Sequence, residues 1–264
     1  MIGAIAGDIA GSVYEFQPEK REDIPLFTKK SFFTDDTVMT VAAAEAILQQ
    51  KSYRECYLDF GKRHPYAGYG GMFAQWLMST NPKPYNSFGN GSAMRVSAVG
   101  WAFNTVEEVL VAAEKTAAPT HNHPEGIKGA QATALAILMA RLGSTKEEIR
   151  SEISHRFGYD LTRTVESIRS GYSFNEICQQ TVPEGIIAFL DSNSYEDSLR
   201  KAISLGGDAD TLACIAGGIA EAFYGGVPQS VLEVVKANLT PDLLQVTEQF
   251  RSRYLTALYP DSLL

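Results

Sequence analysis

The sequence has little of what marks several common classes of protein. Cysteine is scarce, and Cys56, Cys178 and Cys214 are scattered without a Cys-x-x-Cys pair. This spacing indicates neither a zinc ribbon nor a disulfide framework. An excess of positive charge is also lacking, because the formal net charge is −8 and basic residues are interspersed with acidic ones. We therefore expect no nucleic-acid partner and no anionic membrane surface as a partner.

Long apolar runs are missing as well. The longest, residues 133–140, is far shorter than the ~20 residues that span a bilayer. The first residues carry no basic segment and reach Asp8 before an apolar run of signal-peptide length is complete. These features predict a cytoplasmic protein that is not inserted in a membrane. No heptad pattern or apolar surface stripe is evident, so we also expect a monomer.

The patterns that are present favour an all-α fold. Alternation of apolar and polar residues with a period of two is nearly absent. Four segments have the residue spacing of a capping box, which predicts that a helix starts at each. They begin at Ser52, Thr105, Ser144 and Ser194. Residues 127–142 are rich in Ala, Leu and Ile, which predicts a helix buried on most sides. With 45% hydrophobic residues and no linker, the chain is expected to form a single domain over residues 1–264, with about a dozen helices.

Small residues recur near the start of the chain. Gly3, Gly7 and Gly11 are spaced by four and therefore lie along one helix face, where a second helix can approach closely. The pattern is not the Gly-x-Gly-x-x-Gly of a dinucleotide-binding fold. Asp8 and Glu15 are seven residues apart, which is two helical turns, so they are expected on one side of the helix. The simpler interpretation of these two acids is a solvated helix face.

Two acidic clusters stand before apolar runs typical of helices. Residues 34–37 read Thr-Asp-Asp-Thr, and residues 208–211 read Asp-Ala-Asp-Thr after two glycines. Ordinary helix capping explains one residue in each cluster, and we expect the last oxygen-bearing residue to be the cap. The other carboxylates would repel one another unless a cation neutralised them. The clusters therefore predict one shared site for a hard cation such as Mg²⁺, Mn²⁺ or Ca²⁺.

Three loops interrupt the helical pattern. Residues 66–71 are too rich in glycine for a helix interior. Residues 85–92 bring glycines to a helix start, which is typical either of an anion-binding nest or of a plain turn capped by Ser92. Residues 120–125 hold two of the four histidines, His121 and His123. Because no third soft ligand lies at a recognisable spacing, we favour hydrogen-bonding histidines over a zinc site.

Taken in order along the chain, these motifs resemble those of the ADP-ribosylglycohydrolase family, which includes the dinitrogenase reductase-activating glycohydrolases. The matching motifs are Gly7-Asp8 with Gly11 and Glu15, Thr34-Asp35-Asp36-Thr37, the loop of residues 68–71, Gly89-Asn90-Gly91-Ser92-Ala93-Met94-Arg95, Thr120-His121, and Gly206-Gly207-Asp208-Ala209-Asp210-Thr211. The resemblance implies an all-α fold with a binuclear Mg²⁺ or Mn²⁺ centre in a central cleft. It also implies hydrolysis of the glycosidic bond between ADP-ribose and a modified acceptor, with an ADP-ribosylated protein as the partner.

The resemblance further implies roles for individual residues. The ligands of the two metal ions would be Thr34, Asp35, Asp36, Asp208, Asp210 and Thr211. The catalytic residues would be Glu15, which lies near the metals and the scissile ribose, and Asp36. The pyrophosphate and adenosine would be bound by Ser87, Phe88, Gly89, Asn90 and Gly91, with His121 at the pyrophosphate and with Gly70 and Gly71 on a further phosphate-side loop.

Several functional alternatives stay open at this point. Arginine-linked ADP-ribose is the first choice of substrate, with serine-linked ADP-ribose, O-acetyl-ADP-ribose and poly(ADP-ribose) as competitors. A metal-dependent nucleotide phosphoesterase and a non-catalytic relative, like the eye-lens crystallin members of the family, are less favoured because all the matched acids are present. The stretch from residue 150 to residue 197 contains no motif to which a role can be assigned.

Overall fold

The computed structural model describes residues 1–259, and in this part of the chain it has fifteen α-helices and no β-strand. Its one extended pairing there is an isolated antiparallel bridge between Gly89 and Ile177. The predicted all-α fold is confirmed. The helix count exceeds the expected dozen because short helices, such as those of four and six residues, are too brief to show a period in the sequence.

The helices follow one another in this order. They are α1 (Ile2–Gly11), α2 (Asp35–Gln49), α3 (Tyr53–Arg63), α4 (Gly71–Met78), α5 (Gly91–Met94), α6 (Ser97–Ala102), α7 (Val106–Ala117), α8 (Pro124–Arg141), α9 (Lys146–Phe157), α10 (Val165–Arg169), α11 (Cys178–Leu190), α12 (Tyr195–Ser204), α13 (Ala209–Phe223), α14 (Gln229–Asn238) and α15 (Pro241–Tyr254). Helices α1, α11 and α13 are buried over nearly their whole length, and every residue of α1 is buried.

The glycine face of α1 packs directly on α13. A Cβ atom added to Gly7 would lie 2.1 Å from the carbonyl oxygen of Ala213, and one added to Gly3 would lie 2.4 Å from that of Gly217. Since these are backbone atoms, they cannot move aside as a side chain can. The predicted close approach is therefore confirmed, and its partner is the helix that begins at the second acidic cluster.

Helix starts agree with the sequence in most places. Thr105 forms the predicted capping box with Glu108, and Ser194 accepts a hydrogen bond from the Asp197 amide. The box predicted at Ser144 is displaced by one residue to Thr145, whose hydroxyl accepts from the Glu148 amide. Ser52 precedes α3 but makes no side-chain cap. Buried α8 begins at Pro124, three residues before the predicted start, because His123 supplies the cap.

Two absences in the sequence have counterparts in the structure. Cys56, Cys178 and Cys214 are all buried and unpaired, as expected from their spacing. Within residues 1–259, no helix combines the length and the apolar character needed to cross a bilayer.

Replacing Gly7 by alanine is expected to lower the free energy of unfolding by at least about 2 kcal/mol, because the new methyl group meets backbone atoms of α13. Denaturant titration followed by circular dichroism measures the loss. Gly171→Ala is the matched control, since a Cβ there meets nothing within 4 Å, and it should change stability by less than about 1 kcal/mol. Equal stability of the two variants would contradict the close packing.

Candidate active site

Both acidic clusters lie at helix N-termini. Thr34 is the N-cap of α2, where its hydroxyl accepts a hydrogen bond from the Asp36 amide (3.3 Å), and Asp208 is the N-cap of α13. The first oxygen-bearing residue of each cluster thus occupies the cap position, and the expectation that the last one would do so is wrong. A cap must stand before the free amides of the first turn, so the later residues of each cluster project from that turn instead.

The two clusters meet in space. The hydroxyl oxygen of Thr34 lies 3.3 Å from Oδ2 of Asp210, and the hydroxyl of Thr211 donates toward Oδ2 of Asp36 (3.3 Å). Glu15 joins them, since its carboxylate and those of Asp208 and Asp210 offer oxygen atoms that all lie within 4.8 Å of one another. The structure therefore brings residues more than 170 positions apart into one acidic site.

Asp8 is buried behind this site and holds the first acidic cluster in place through hydrogen bonds. Its carboxylate is fully buried and accepts hydrogen bonds from the amides of Thr34 (2.9 Å) and Thr37 (3.0 Å) and from both of their hydroxyls. The interpretation of Asp8 and Glu15 as a solvated helix face is wrong on both counts. Helix α1 is buried all round, and it ends at Gly11, so Glu15 lies on the loop that follows.

The carboxylates crowd one another, and this shifts their protonation. Burial, and after it the negative charge of Asp210, raises the pKa of Asp8 to about 7 and that of Glu15 to about 8. The same two causes raise the pKa values of Asp35, Asp36 and Asp208 well above their ordinary range. Bound cations would offset this repulsion and stabilise the ionised forms.

The donor set fits a divalent cation. Oδ1 of Asp36 is buried and has no hydrogen-bond partner among the described residues, whereas its other oxygen is contacted by Thr211. A buried carboxylate oxygen without a partner is costly unless something positive contacts it. With Asp35, Asp208 and Asp210 nearby, the available ligands are carboxylate and hydroxyl oxygens, which are the ones that Mg²⁺ and Mn²⁺ prefer.

The glycine-rich segment of residues 87–91 forms a second wall beside the acidic site. Its Asn90 side chain donates a hydrogen bond to Oδ2 of Asp208 (2.7 Å) and so ties this wall to the acidic site. Ser92 does not cap the helix as one interpretation held, because α5 begins at Gly91 with Asn90 as its N-cap and the Ser92 hydroxyl donates to the Gly126 carbonyl (2.7 Å).

Not every amide of this segment is free to bind an anion. The Gly89 amide donates to the Ser87 hydroxyl (3.1 Å), and the Asn90 amide donates to the Glu176 carbonyl (2.7 Å). The Ser87 amide donates to the Thr120 carbonyl (3.3 Å), so an anion-binding nest would use the remaining amides of the segment, fewer than the sequence pattern predicts.

His121 lies beside the glycines with one ring nitrogen turned toward them. A Cβ atom added to Gly91 would lie 3.1 Å from Nε2 of His121. Its Nδ1 lies 2.7 Å from the hydroxyl of Thr120, which in turn accepts a hydrogen bond from Arg95 (2.8 Å). Burial, and after it the charge of Arg95, lowers the pKa of His121 well below its ordinary value. A neutral ring that accepts at Nδ1 carries its proton on Nε2, where it can donate to an oxygen in the cavity.

A single cavity of about 600 Å³ joins these features. Nearly all the predicted site residues line it, namely Glu15, Asp35, Asp36, Gly70, Gly71, Ser87, Phe88, Gly89, Asn90, Gly91, His121, Asp208, Asp210 and Thr211. Thr34 is the exception, since it is buried behind the wall between Asp8 and Asp210. The cavity also has lining residues that sequence reasoning missed, among them Glu176 and Ile177 from the stretch that contained no motif.

The all-helical fold places two acidic helix N-termini and a glycine-rich segment around one cavity, and this combination matches a family of hydrolases. The chain belongs to the ADP-ribosylglycohydrolase family, whose model matches residues 1–259. One family model thus spans the whole described part of the chain.

Known proteins similar to the chain agree with this assignment. The ADP-ribosylhydrolase ARH3 of Mus musculus is 28% identical in an alignment that covers 87% of this chain and 84% of the relative. The ADP-ribosylarginine hydrolase Tri1 of Pseudomonas putida is 26% identical, covering 89% of this chain and 72% of the relative. A solved structure described as an ADP-ribosylglycohydrolase-related protein complex superposes on this chain with a TM-score of 0.72 at 24% identity. The superposition covers 99% of this chain and 97% of the chain in that structure, and it supports the fold.

Removing one carboxylate charge should weaken metal binding while leaving the shape of the site intact. We expect Asp36→Asn to weaken binding of Mn²⁺ at least about ten-fold, because Asp36 supplies the buried oxygen that lacks a partner. Isothermal titration calorimetry with Mn²⁺ gives the affinity and stoichiometry. Asp59→Asn, on an exposed carboxylate paired with Arg63 on α3, is the control. Unchanged Mn²⁺ binding in Asp36→Asn would rule out the shared site.

Proposed function

We propose that the protein hydrolyses the glycosidic bond of ADP-ribosylarginine and releases ADP-ribose. The observation that carries this proposal is the hydrogen bond from Asn90 to Asp208, which joins the glycine-rich wall to the acidic site within one cavity. A ligand with a diphosphate at one end and a reacting ribose at the other matches these two walls. The cavity volume of about 600 Å³ lies in the range typical of small-molecule sites.

Two Mg²⁺ or Mn²⁺ ions would be held by Asp35, Asp36, Asp208, Asp210 and Thr211, with Thr34 behind them. When bound, such ions supply a Lewis acid that orients ribose hydroxyls and water and lowers the pKa of that water. The carboxylates also act in their own right. Cleavage at an anomeric carbon passes through an oxocarbenium-like state, and the negative charge of the acidic site stabilises the positive charge of that state.

Residues on the other wall would hold the rest of the ligand. His121 presents an Nε2 proton beside Gly91, where it can donate to a diphosphate oxygen. Phe88 is 43% exposed, with its ring 5.3 Å from that of His123, and offers an aromatic face on which an adenine base can stack.

Glu15 is our candidate for proton transfer. It lies on a loop at the edge of the acidic site, is partly exposed and lines the cavity, so its carboxyl group can exchange a proton with a bound ligand or with water. The arginine acceptor is supported by the name of one relative, the ADP-ribosylarginine hydrolase of Pseudomonas putida. The expectations of a monomer and of a cytoplasmic location stay predictions.

The substrate is tested by measuring ADP-ribose release from arginine-linked, serine-linked and acetyl-linked ADP-ribose, each with Mg²⁺, with Mn²⁺ and with a chelator. We expect metal-dependent release from the arginine-linked substrate, because the cation offsets the repulsion among the carboxylates. Release of inorganic phosphate from nucleotides would indicate a phosphoesterase instead. A protein that binds neither metal nor ADP-ribose would be a non-catalytic relative.

Glu15→Gln should reduce kcat by about 10²–10⁴-fold, the usual contribution of a general acid or base. Calorimetry with Mn²⁺ should show that the metal is retained, because the aspartates remain. Wild-type turnover in this variant would exclude Glu15 from proton transfer. A loss of Mn²⁺ in parallel with turnover would instead make Glu15 a metal ligand, a role that its distance from Asp208 and Asp210 also permits.

A further inference from the structure

Two exposed phenylalanines stand beside the cavity. Phe16 is 80% exposed and Phe174 is 46% exposed, and their rings stack at 6.4 Å between centroids and 27° between planes. Phe16 directly follows Glu15, and Phe174 comes two residues before Glu176, and both of these glutamates line the cavity. Leaving large aromatic rings in water forgoes the stabilisation that burial would provide, so the position of this pair calls for a functional explanation.

The two segments that carry the rings are fastened together. The ammonium group of Lys20 donates to the carbonyl oxygens of Arg169 (2.8 Å), Tyr172 (2.6 Å) and Leu205. The ring of Tyr172 packs so closely on Gly207 that an added Cβ would lie 2.3 Å from it. The aromatic pair is therefore mounted on loops that are tied to the start of α13, where the acidic site lies.

The part of the cavity next to Phe16 and Phe174 carries negative charge. Glu176 lies close enough to Glu15 that its charge contributes, after burial and Asp210, to the raised pKa of Glu15. Arg95 carries the only permanent positive charge among the described residues that line the cavity. Arg95 is 1% exposed and donates to the Thr116 carbonyl and the Thr120 hydroxyl, on the side of His121. The Lys20 ammonium is already occupied by backbone carbonyls.

We propose that Phe16, Phe174 and Glu176 form the acceptor subsite and that it receives the planar, positively charged guanidinium group of a modified arginine. This inference rests on the proposed function and adds the residues that select the acceptor. A guanidinium group is attracted to the face of an aromatic ring and to a carboxylate, and its plane allows it to stack. A serine-linked acceptor carries no charge and no plane, so it gains neither interaction.

The two contributions are separable by substitution. Phe16→Leu keeps an apolar side chain of similar reach but removes the aromatic face, whereas Phe16→Tyr keeps the face. Glu176→Gln removes the charge and keeps the shape. Glu107→Gln, on an exposed carboxylate in the first turn of α7, is the matched control for loss of one negative charge.

Steady-state kinetics should be measured on two peptides of matched sequence, one with arginine-linked and one with serine-linked ADP-ribose, together with the Kd of ADP-ribose. On the arginine-linked peptide, Phe16→Leu should raise KM about two- to five-fold and Glu176→Gln by a similar factor. The double variant Phe16→Leu with Glu176→Gln should raise KM about ten-fold. Phe16→Tyr should raise KM less than Phe16→Leu does, and Glu107→Gln should leave KM near the wild-type value. The Kd of ADP-ribose should not change, because the subsite contacts the acceptor.

Several results would overturn the subsite. A loss in kcat shared by both peptides would mean that the pair positions Glu15 and does not bind the acceptor. Equal effects of Phe16→Leu and Phe16→Tyr would exclude the aromatic face. Wild-type KM values in all variants, with an active wild-type enzyme, would refute the subsite and leave the proposed function standing. A wild-type enzyme that releases no ADP-ribose from the arginine-linked peptide would refute both.

Discussion

The close contact between α1 and α13 is the constraint on which the site depends. Glycines let the two helix backbones touch, and at the far end of this contact a Cβ on Gly11 would lie 2.4 Å from Cα of Asp210. The end of α1 and the start of α13 therefore lie directly beside each other. Asp8 near the end of one helix and Asp210 at the start of the other are brought to the same place by backbone packing. A larger side chain anywhere along this face would separate the acids as well as loosen the core.

The acids placed there repel one another, and the structure offsets only part of that repulsion. Asp8 is compensated by four hydrogen bonds from Thr34 and Thr37. The N-termini of α2 and α13 also favour negative charge, each by about 0.3–1 kcal/mol. Those contributions are small beside the cost of several neighbouring buried carboxylates, as the raised pKa values and the unpartnered Oδ1 of Asp36 show. The fold thus maintains an acidic site whose remaining repulsion a bound cation would offset.

Whether a feature of the fold or the site could be predicted from the sequence depends on how far apart in the chain the interacting residues are. The helical class, the glycine face of α1 and the two acidic clusters are local patterns, so they could be read directly. The burial of Asp8 could not, because it follows from α1 being enclosed on every side, which depends on helices distant in the sequence. Glu176 gave no signal at all. Its segment has no pattern of its own and reaches the cavity through backbone hydrogen bonds to residues 88–90.

The two ends of the cavity are built differently, and this bears on how specificity is achieved. The acidic residues lie at the N-termini of α2 and α13 and at Asp8 of α1. Backbone packing between α1 and α13 holds Asp8 and the start of α13 in place. The end with Phe16 and Phe174 is carried by loops that Lys20 ties to three carbonyl oxygens. These loops contact the residues that directly precede α13, since Lys20 donates to the Leu205 carbonyl and Tyr172 packs on Gly207. In the proposed function, the aspartates at the ribose therefore depend on the core, whereas selection of the acceptor depends on Lys20 and the two segments that it joins. Glu15 connects the two, because it belongs to the acidic site and directly precedes Phe16.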